Sequence, residues 1–272
     1  MRTEVVTMTP VLAAQMLDRN IGNRRINPRK VAQYASDMAA GRWQTNGEAI
    51  KVAVSGRLLD GQHRLRACVE SGCSFESLVV YGLSDAVQLT MDQGVKRSAA
   101  NQFQLLGIKY AGNKAAICRN LWHWREGAPL GASSGRMPSS AELLELLKLW
   151  PVTNEAAQMS DPVYRATRFG VARSTFATFL TLALTVDDVA ARRFEEQIRT
   201  GEMLRSGDPA LVLRQQFLSW RGSGRTLSRA QQIAWMWLGF CDFRVGKSRK
   251  LYKRNWLVND VSELSKLRSR GL

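Results

Sequence analysis

The spacing of apolar side chains changes several times within the first 107 residues. Helices are predicted where apolar residues recur every three or four positions, over 9–18, 28–41, 63–72, 84–94 and 98–107. Short, mostly apolar runs between them predict strands over 49–54, 57–59 and 77–83. Strands and helices mixed in this way indicate a small α/β domain that ends near residue 107.

The pattern after residue 107 is almost entirely helical. Helices are predicted over 115–127, 139–150, 173–186, 188–201, 209–222 and 228–243. Stretches rich in Gly and Pro separate several of them, and most of the eight tryptophans lie here, at a helical spacing that favours core positions. We therefore expect an α+β protein with a mixed α/β domain over 1–107 and a mostly α-helical domain over 108–272.

The charge of the chain points to a polyanionic partner. The 39 Lys and Arg residues outnumber the 23 Asp and Glu residues, the formal net charge is +16, and most of the excess lies after residue 107. Such an excess is typical of proteins that bind nucleic acid. The predicted DNA contacts are basic residues that lie near aromatic side chains at the C-terminal end, with two arginines of the first domain: Lys247, Arg249, Lys250, Lys253, Arg254, Arg24 and Arg25.

Other patterns exclude several classes of protein. The N-terminal residues lack the apolar segment of a signal peptide, and the longest apolar stretch, near residues 176–186, is too short to span a bilayer. The spacing of the four cysteines, in a chain with two histidines, fits no zinc site. We expect a protein of the bacterial or phage-infected cytoplasm without membrane contact, and the oligomeric state stays open.

The stretch RLLDGQHRLR, residues 57–66, places polar groups at a predicted strand-to-helix turn. Gly61 allows a close backbone approach, and the helix that begins near His63 directs its first N–H groups toward the turn. His63 and Arg64 add hydrogen-bond donors, and Asp60 can hold Mg²⁺, orient His63 or cap the helix. The turn predicts an anion site, although a capping Asp60 and a surface Arg64 would give the same pattern.

The segment LLDGQHRLRA resembles the signature turn of the ParB/sulfiredoxin superfamily, within a region of similarity that covers roughly residues 5–107. Sulfiredoxin has Gly-Cys-His-Arg at this turn, free-serine kinases have Asp-Gly-His-His-Arg, and partition ParB proteins have a Gly-Glu-Arg-Arg version that binds CTP. The resemblance implies that ATP or CTP binds here with Mg²⁺, and that Gly61, Gln62, His63 and Arg64 contact the phosphates. Gln62 occupies the place of the sulfiredoxin cysteine, which excludes that thiol chemistry.

A second stretch, TMDQGVKRSAANQ at residues 90–102, is similar to the ParB segment that closes on the triphosphate. The resemblance implies phosphate contacts by Gly94, Lys96 and Arg97 and a metal ligand at Asp92. An ordinary turn between two helices is the alternative interpretation.

Glu48 is the candidate catalytic base. It precedes the first predicted strand, in the region where the kinase members of the superfamily have an acidic base, and Asn46 could position a substrate beside it. The resemblance implies a catalytic set of Glu48, Asp60 and His63. An ordinary surface glutamate is the alternative.

Three functions fit these residues. The first is an enzyme that hydrolyses a nucleoside triphosphate or transfers its phosphate, with DNA, such as a hydroxyl of a modified base, as the acceptor. The second is a non-catalytic, nucleotide-gated DNA-binding protein of the partition type, although the helix-turn-helix candidate at 139–159 has apolar positions that suit a core. The third, a ParB-like nuclease, is disfavoured by scattered carboxylates. His63 and Glu48 favour the enzyme.

Overall fold

The computed structural model describes the chain except for residues 24, 91–97, 168–169, 203, 224–226, 253–266 and 268–272. The described residues form one four-stranded sheet and eleven α-helices, and about 58% of the chain is helical. The chain divides into two compact units. The first unit contains Met1–Lys96 and Gly135–Ser139, and the second contains Arg97–Ser134 and Ser140–Leu272. The predicted mixture of strands and helices is confirmed, and the functional boundary after residue 107 stays a prediction.

The sheet of the first unit has four strands in the order β1-β4-β2-β3. Their bounds are β1 Arg2–Met8, β2 Ile50–Ala53, β3 Leu58–Asp60 and β4 Phe75–Leu83. Strands β1 and β4 are antiparallel, β2 and β4 are parallel, and β2 and β3 form an antiparallel hairpin that places Lys51 opposite Asp60. The three predicted strands are confirmed, whereas β1 was not predicted.

The helices of the first unit begin and end at capping residues that the sequence makes visible. They are α1 Pro10–Leu17, α2 Pro28–Ala39 and α3 Gln62–Ser71. The Thr9 side chain caps α1, the Asn27 side chain caps α2, and Gly72 ends α3 in the left-handed conformation. The helix predicted from Ser84 is a 3-10 helix over Asp85–Thr90, and the rest of that prediction lies outside the described residues.

The second unit contains eight helices among its described residues. They are α4 Ala99–Leu105, α5 Ala111–Arg125, α6 Ser140–Leu149, α7 Thr153–Ala166, α8 Arg173–Val186, α9 Asp188–Thr200, α10 Pro209–Ser223 and α11 Arg229–Arg244. All were predicted except α7, which has Pro162 in its interior. Helix α8 is buried from Thr175 to Leu184 and forms the centre of the core.

The tryptophans of the second unit are mainly core residues, as predicted. The described ones are all almost fully buried: Trp122, Trp124, Trp150, Trp235 and Trp237. Helices α6 and α7 correspond to the helix-turn-helix candidate, and their apolar residues are buried in the same core. In the part of the chain that the structure describes, no helix is long and apolar enough to cross a membrane.

One segment of the first unit is distant in sequence from the rest. Ser139 donates a hydrogen bond from Oγ to Oδ1 of Asp37 over 2.9 Å, and Arg42 donates one from Nε to the same oxygen over 2.9 Å. Asp37 is buried in α2. Because a buried carboxylate is costly without partners, this pairing gives the short segment Gly135–Ser139 a structural role in the first unit.

Candidate functional site

Gly61 forms the turn between β3 and α3. Its φ of +107° is one that residues with side chains rarely adopt, and a Cβ placed there would lie 2.9 Å from Cγ1 of Ile50. Helix α3 therefore starts with its backbone close to β2. The N-cap position of α3 is Gly61 itself, which has no side chain to cap the helix. Such a helix start attracts anions through its N–H groups and its dipole.

Asp60 does not cap α3, in contrast to one of the interpretations left open by the sequence. Its Oδ1 accepts a hydrogen bond from the N–H of Gly61 over 2.7 Å. Its Oδ2 lies 3.6 Å from Nζ of Lys51 and 3.8 Å from Nη2 of Arg64. The carboxylate thus holds two cationic side chains beside the turn. Lys51 was missed in the sequence, and the register of the β2–β3 hairpin is the pattern that would have revealed it.

Arg64 connects the start of α3 to the residues before β2. Its Nη2 donates to the carbonyl oxygen of Ala49 over 2.7 Å, and its Nη1 donates to the carbonyl oxygen of Glu48. The structure thereby places the backbone of Glu48 beside the turn, while the Glu48 side chain is exposed. The Oδ1 of Asn46 accepts from the N–H of Glu48 over 3.1 Å. The backbone of the candidate base therefore lies near the turn, and the catalytic role of its carboxylate stays a prediction.

His63 connects the turn to the start of α2. Its Nε2 accepts a hydrogen bond from the backbone N–H of Asn27 over 3.0 Å. A ring nitrogen that accepts carries no proton, so the neutral ring has its proton on Nδ1. Since Asn27 is also the residue that caps α2, any change in the hydrogen bonding of His63 reaches the first turn of that helix.

Residues 20–23 and 25–27, here called the asparagine loop, contact the turn through their asparagines. Asn20 donates from Nδ2 to Oε1 of Gln62 over 3.0 Å, and Asn23 donates from Nδ2 to the carbonyl oxygen of Leu58 over 2.7 Å. The loop thus contacts β3 and α3 through three asparagines, including Asn27. Gln62 is 5% exposed, so its contribution to an anion site would come from its backbone N–H.

The predicted DNA contacts fall into separate places. Arg25 is exposed in the asparagine loop, whereas Lys247 and Lys250 are exposed in the second unit. Arg249 forms an ion pair with the buried carboxylate of Asp242, with 3.3 Å between Nη2 and Oδ1. This pairing gives Arg249 a structural role. The remaining predicted residues lie outside the described part of the chain: Arg24, Asp92, Gly94, Lys96, Arg97, Lys253 and Arg254.

The described residues provide few side-chain ligands for a metal ion that is bound by the protein alone. No group of three or more His, Cys, Asp and Glu side chains that could hold a metal is found among them. Mg²⁺ commonly binds one or two carboxylates and completes its ligands with phosphate oxygens and water. Asp60 is the described carboxylate that fits this role. Metal binding would replace its contacts with Lys51 and Arg64.

No family model matches the chain, and no curated protein matches it significantly. The interpretation of the site therefore depends on the residues of the turn and on their geometry. Membership of the ParB/sulfiredoxin superfamily is carried forward as a proposal.

Proposed function

We propose that the first unit is a ParB-like domain that binds ATP or CTP, with Mg²⁺, at the turn Asp60–Arg64. The protein then hydrolyses the triphosphate or transfers its terminal phosphate, with DNA as the proposed acceptor or stimulating partner, in the bacterial or phage-infected cytoplasm. The observation that supports the proposal is the start of α3, where Gly61 at the N-cap position brings the positive end of the helix next to His63 and Arg64.

Charge around the turn supports phosphate as the ligand. Lys51 and Arg64 lie within 4 Å of Asp60, and Arg25 is exposed in the adjoining asparagine loop. A triphosphate at the start of α3 would therefore meet several cations of the first unit. Phosphoryl transfer depends mainly on such positioning and charge neutralisation.

The proposed reaction needs a base and a nucleophile with a hydroxyl group. The bond from the γ-phosphorus to the β–γ bridging oxygen breaks, and a new bond forms from phosphorus to the oxygen of water or of the acceptor. The proton of that hydroxyl goes to the carboxylate of Glu48, and the nucleoside diphosphate leaves with the bridging oxygen. When bound at Asp60, Mg²⁺ would neutralise charge on the phosphate oxygens. The imidazole of His63 would stabilise the transferred phosphate group by donating an N–H hydrogen bond to it.

Nucleotide-gated DNA binding without chemistry is the second candidate. It is favoured by the hydrogen bonds that His63 and Arg64 make to the backbone of Asn27, Glu48 and Ala49. A triphosphate that competes for these donors and acceptors would alter the start of α2 and the entry to β2. Such a change is the kind of local event that a nucleotide switch requires. The nuclease stays the least favoured of the three.

The decisive experiment follows the label of a γ-labelled nucleoside triphosphate. The full chain is incubated with Mg²⁺, each triphosphate in turn, and DNA with or without hydroxymethylated pyrimidines. Label on DNA supports the phosphotransferase, and free phosphate that depends on His63 supports hydrolysis. Binding without turnover supports the gated DNA-binding protein. Absence of both binding and turnover overturns the proposal. Arg66→Ala is the matched control, because Arg66 lies on the exposed side of α3 in a surface pair with Glu70.

A further inference from the structure

The sheet of the first unit has two edge strands, β3 and β1, and they differ in what covers them. Strand β3 has only three residues, and Arg19 and the asparagine loop bond to it. The N–H of Leu58 donates to the carbonyl oxygen of Arg19 over 3.0 Å, and the carbonyl oxygen of Leu58 accepts from Nδ2 of Asn23 over 2.7 Å. The polar backbone groups of this edge therefore have partners within the chain.

Strand β1 is longer and lacks the features that usually protect an edge strand. Its seven residues, Arg2–Met8, pair with β4 in a continuous register without a bulge, and they include no Lys and no Pro. In the part of the chain that the structure describes, no backbone–backbone hydrogen bond reaches β1 from any element other than β4. The edge that faces away from β4 therefore presents a row of N–H and C=O groups to which a further strand can bond.

The side chains at the start of β1 suit a second copy of the same strand. Met1 and Val5 are large apolar residues that are 89% and 67% exposed. Arg2 and Glu4 alternate with them along the strand and carry opposite charges, with 3.8 Å between Nη1 and Oε2. The guanidinium of Arg2 also lies over the ring of Tyr81, at 4.7 Å from its centre, which restrains it beside the open edge.

Charge complementarity selects one register for two antiparallel copies of β1 that are related by a two-fold axis. An axis at Thr3 places Arg2 of each copy opposite Glu4 of the other, and Met1 opposite Val5. Opposite charges that face each other directly across two strands stabilise the pairing, whereas like charges destabilise it. An axis at Glu4 would bring two carboxylates together, and an axis at Val5 would place both charged side chains opposite apolar ones.

We propose that β1 pairs with β1 of a second copy of this chain, in an antiparallel register centred on Thr3. The two four-stranded sheets then join into one continuous sheet. The turn at Asp60–Arg64 follows β3, the far edge of each sheet, so the pairing does not involve it and does not depend on the function proposed for it. The contact is small compared with the interfaces of permanent dimers, and we expect reversible association.

The first test is sedimentation of the full chain over a range of concentrations. The net charge of +16 on each copy opposes association at low ionic strength, so physiological salt is used. We expect the mass to rise from that of one chain to that of two. Arg2→Glu and Glu4→Arg should each weaken the dimer by about tenfold, because two attractive pairs per dimer become repulsive.

The double variant Arg2→Glu/Glu4→Arg distinguishes a cross-strand charge pair from a general effect of charge. It exchanges the two charges and should restore the affinity to within about threefold of the wild type. Glu76→Arg is the matched control, since it makes the same charge change at an exposed residue of β4 outside the proposed contact. It should change the affinity by less than about twofold.

Cysteine substitution tests the register. Directly opposite residues of antiparallel strands are close enough for a disulfide bond, and in the proposed register Thr3 faces Thr3 of the second copy. With oxidised glutathione as the oxidant, Thr3→Cys should form a covalent dimer in higher yield than Val5→Cys, which faces Met1. The wild type, with its four native cysteines, is the control. A higher yield from Val5→Cys would overturn the register.

Hydrogen exchange at the amides of β1 identifies the occupant of the edge. Protection that increases with protein concentration supports a second copy. Protection that is independent of concentration would assign the edge to a segment of the same chain and would overturn the proposal. A chain that stays monomeric at every concentration, single variants that associate like the wild type, or a double variant that does not recover would also overturn it.

Discussion

The backbone N–H of Asn27 donates a hydrogen bond to Nε2 of His63 over 3.0 Å. One contact therefore joins the residue that caps α2 to the turn that carries the candidate chemistry. The imidazole accepts this bond in its neutral form and cannot accept it at Nε2 when that nitrogen carries a proton. Ligand binding at the turn and order at the start of α2 are consequently expected to change together.

Replacement of His63 tests this coupling. His63→Ala should abolish nucleotide-dependent behaviour and should speed hydrogen exchange at the amide of Asn27, because the amide loses its acceptor. The measurement is amide exchange by NMR or mass spectrometry, with Arg66→Ala as the control in the same helix. Unchanged exchange at Asn27 would mean that the hydrogen bond does not hold the start of α2.

Gly61 is expected to tolerate no side chain. Gly61→Ala combines a strained φ of +107° with a contact of 2.9 Å to Ile50, so we expect a loss of about 2–4 kcal/mol in the free energy of unfolding. Gly72→Ala is the matched control, since Gly72 also has a positive φ but open space around its Cβ position; it should cost about 1 kcal/mol. Urea denaturation measures both, and equal losses would contradict the packing argument.

Asp37 should be the carboxylate of the first unit that is most costly to remove. It is buried and accepts hydrogen bonds from Arg42 and Ser139. Asp37→Ala leaves two donors without their acceptor, for an expected loss of about 2–4 kcal/mol. The surface pair of Glu70 with Arg66 provides the comparison, and Glu70→Ala should cost about 0.3–0.5 kcal/mol. Chemical denaturation of the two variants should separate them clearly; similar values would argue against a buried network.

The cysteines should differ in reactivity according to burial. Burial raises the pKa of Cys68 to about 11 and that of Cys118 to about 12, so both are protonated thiols at pH 8. Cys73 and Cys241 are only partly buried and should be alkylated first by iodoacetamide, as mass spectrometry can show. Rapid modification of Cys68 in the folded protein would contradict the burial that the structure gives it.

The same pKa shifts predict a loss of stability at high pH. The unfolded thiols begin to ionise near pH 9, while the folded ones keep their protons to about pH 11 for Cys68. Between these values the unfolded state binds fewer protons than the folded state, so stability falls as the pH rises. Cys68→Ala should reduce that dependence, which thermal unfolding at several pH values would measure.

Two exposed lysines of the second unit are the described residues on which to test DNA contact. Reversal of charge at Lys247 and Lys250 should weaken DNA binding and lower the salt dependence, by about 2 in the slope of log K against log salt if each contacts a phosphate. Nucleotide binding at the first unit should not change. Lys148→Glu, an exposed lysine of α6, is the control. Arg249 is unsuitable, because its loss would leave the buried Asp242 unpaired.

Most helices and the turn at Gly61 could be predicted from short segments of sequence. Helix caps depend on residues only a few positions away, as Thr9 and Asn27 show, and the same holds for a glycine that follows a strand. Strand β1 was missed, although Thr3, Val5 and Val6 are β-branched, because its partner β4 lies about 70 residues later. Lys51 and Asp60 show the same limit, since their pairing depends on hairpin register rather than on sequence spacing.

Helix α7 was missed for a different reason. Its residues are mostly polar or small, and Pro162 lies in its interior, where it removes a backbone donor and normally predicts the end of a helix. The helix persists because Ala156, Ala157 and Val163 are buried in the core of the second unit. Packing of this kind is decided by the whole domain, and no short window of sequence contains it.

The inclusion of Gly135–Ser139 in the first unit has a consequence for synthesis on the ribosome. The chain emerges from its N-terminus, so the sheet and α1 to α3 can assemble before the hydroxyl that bonds Asp37 has been translated. Final stabilisation of Asp37 must wait until Ser139 has left the exit tunnel, by which time α4 and α5 have been made as well. The first unit is therefore expected to complete its folding after translation has passed well into the second.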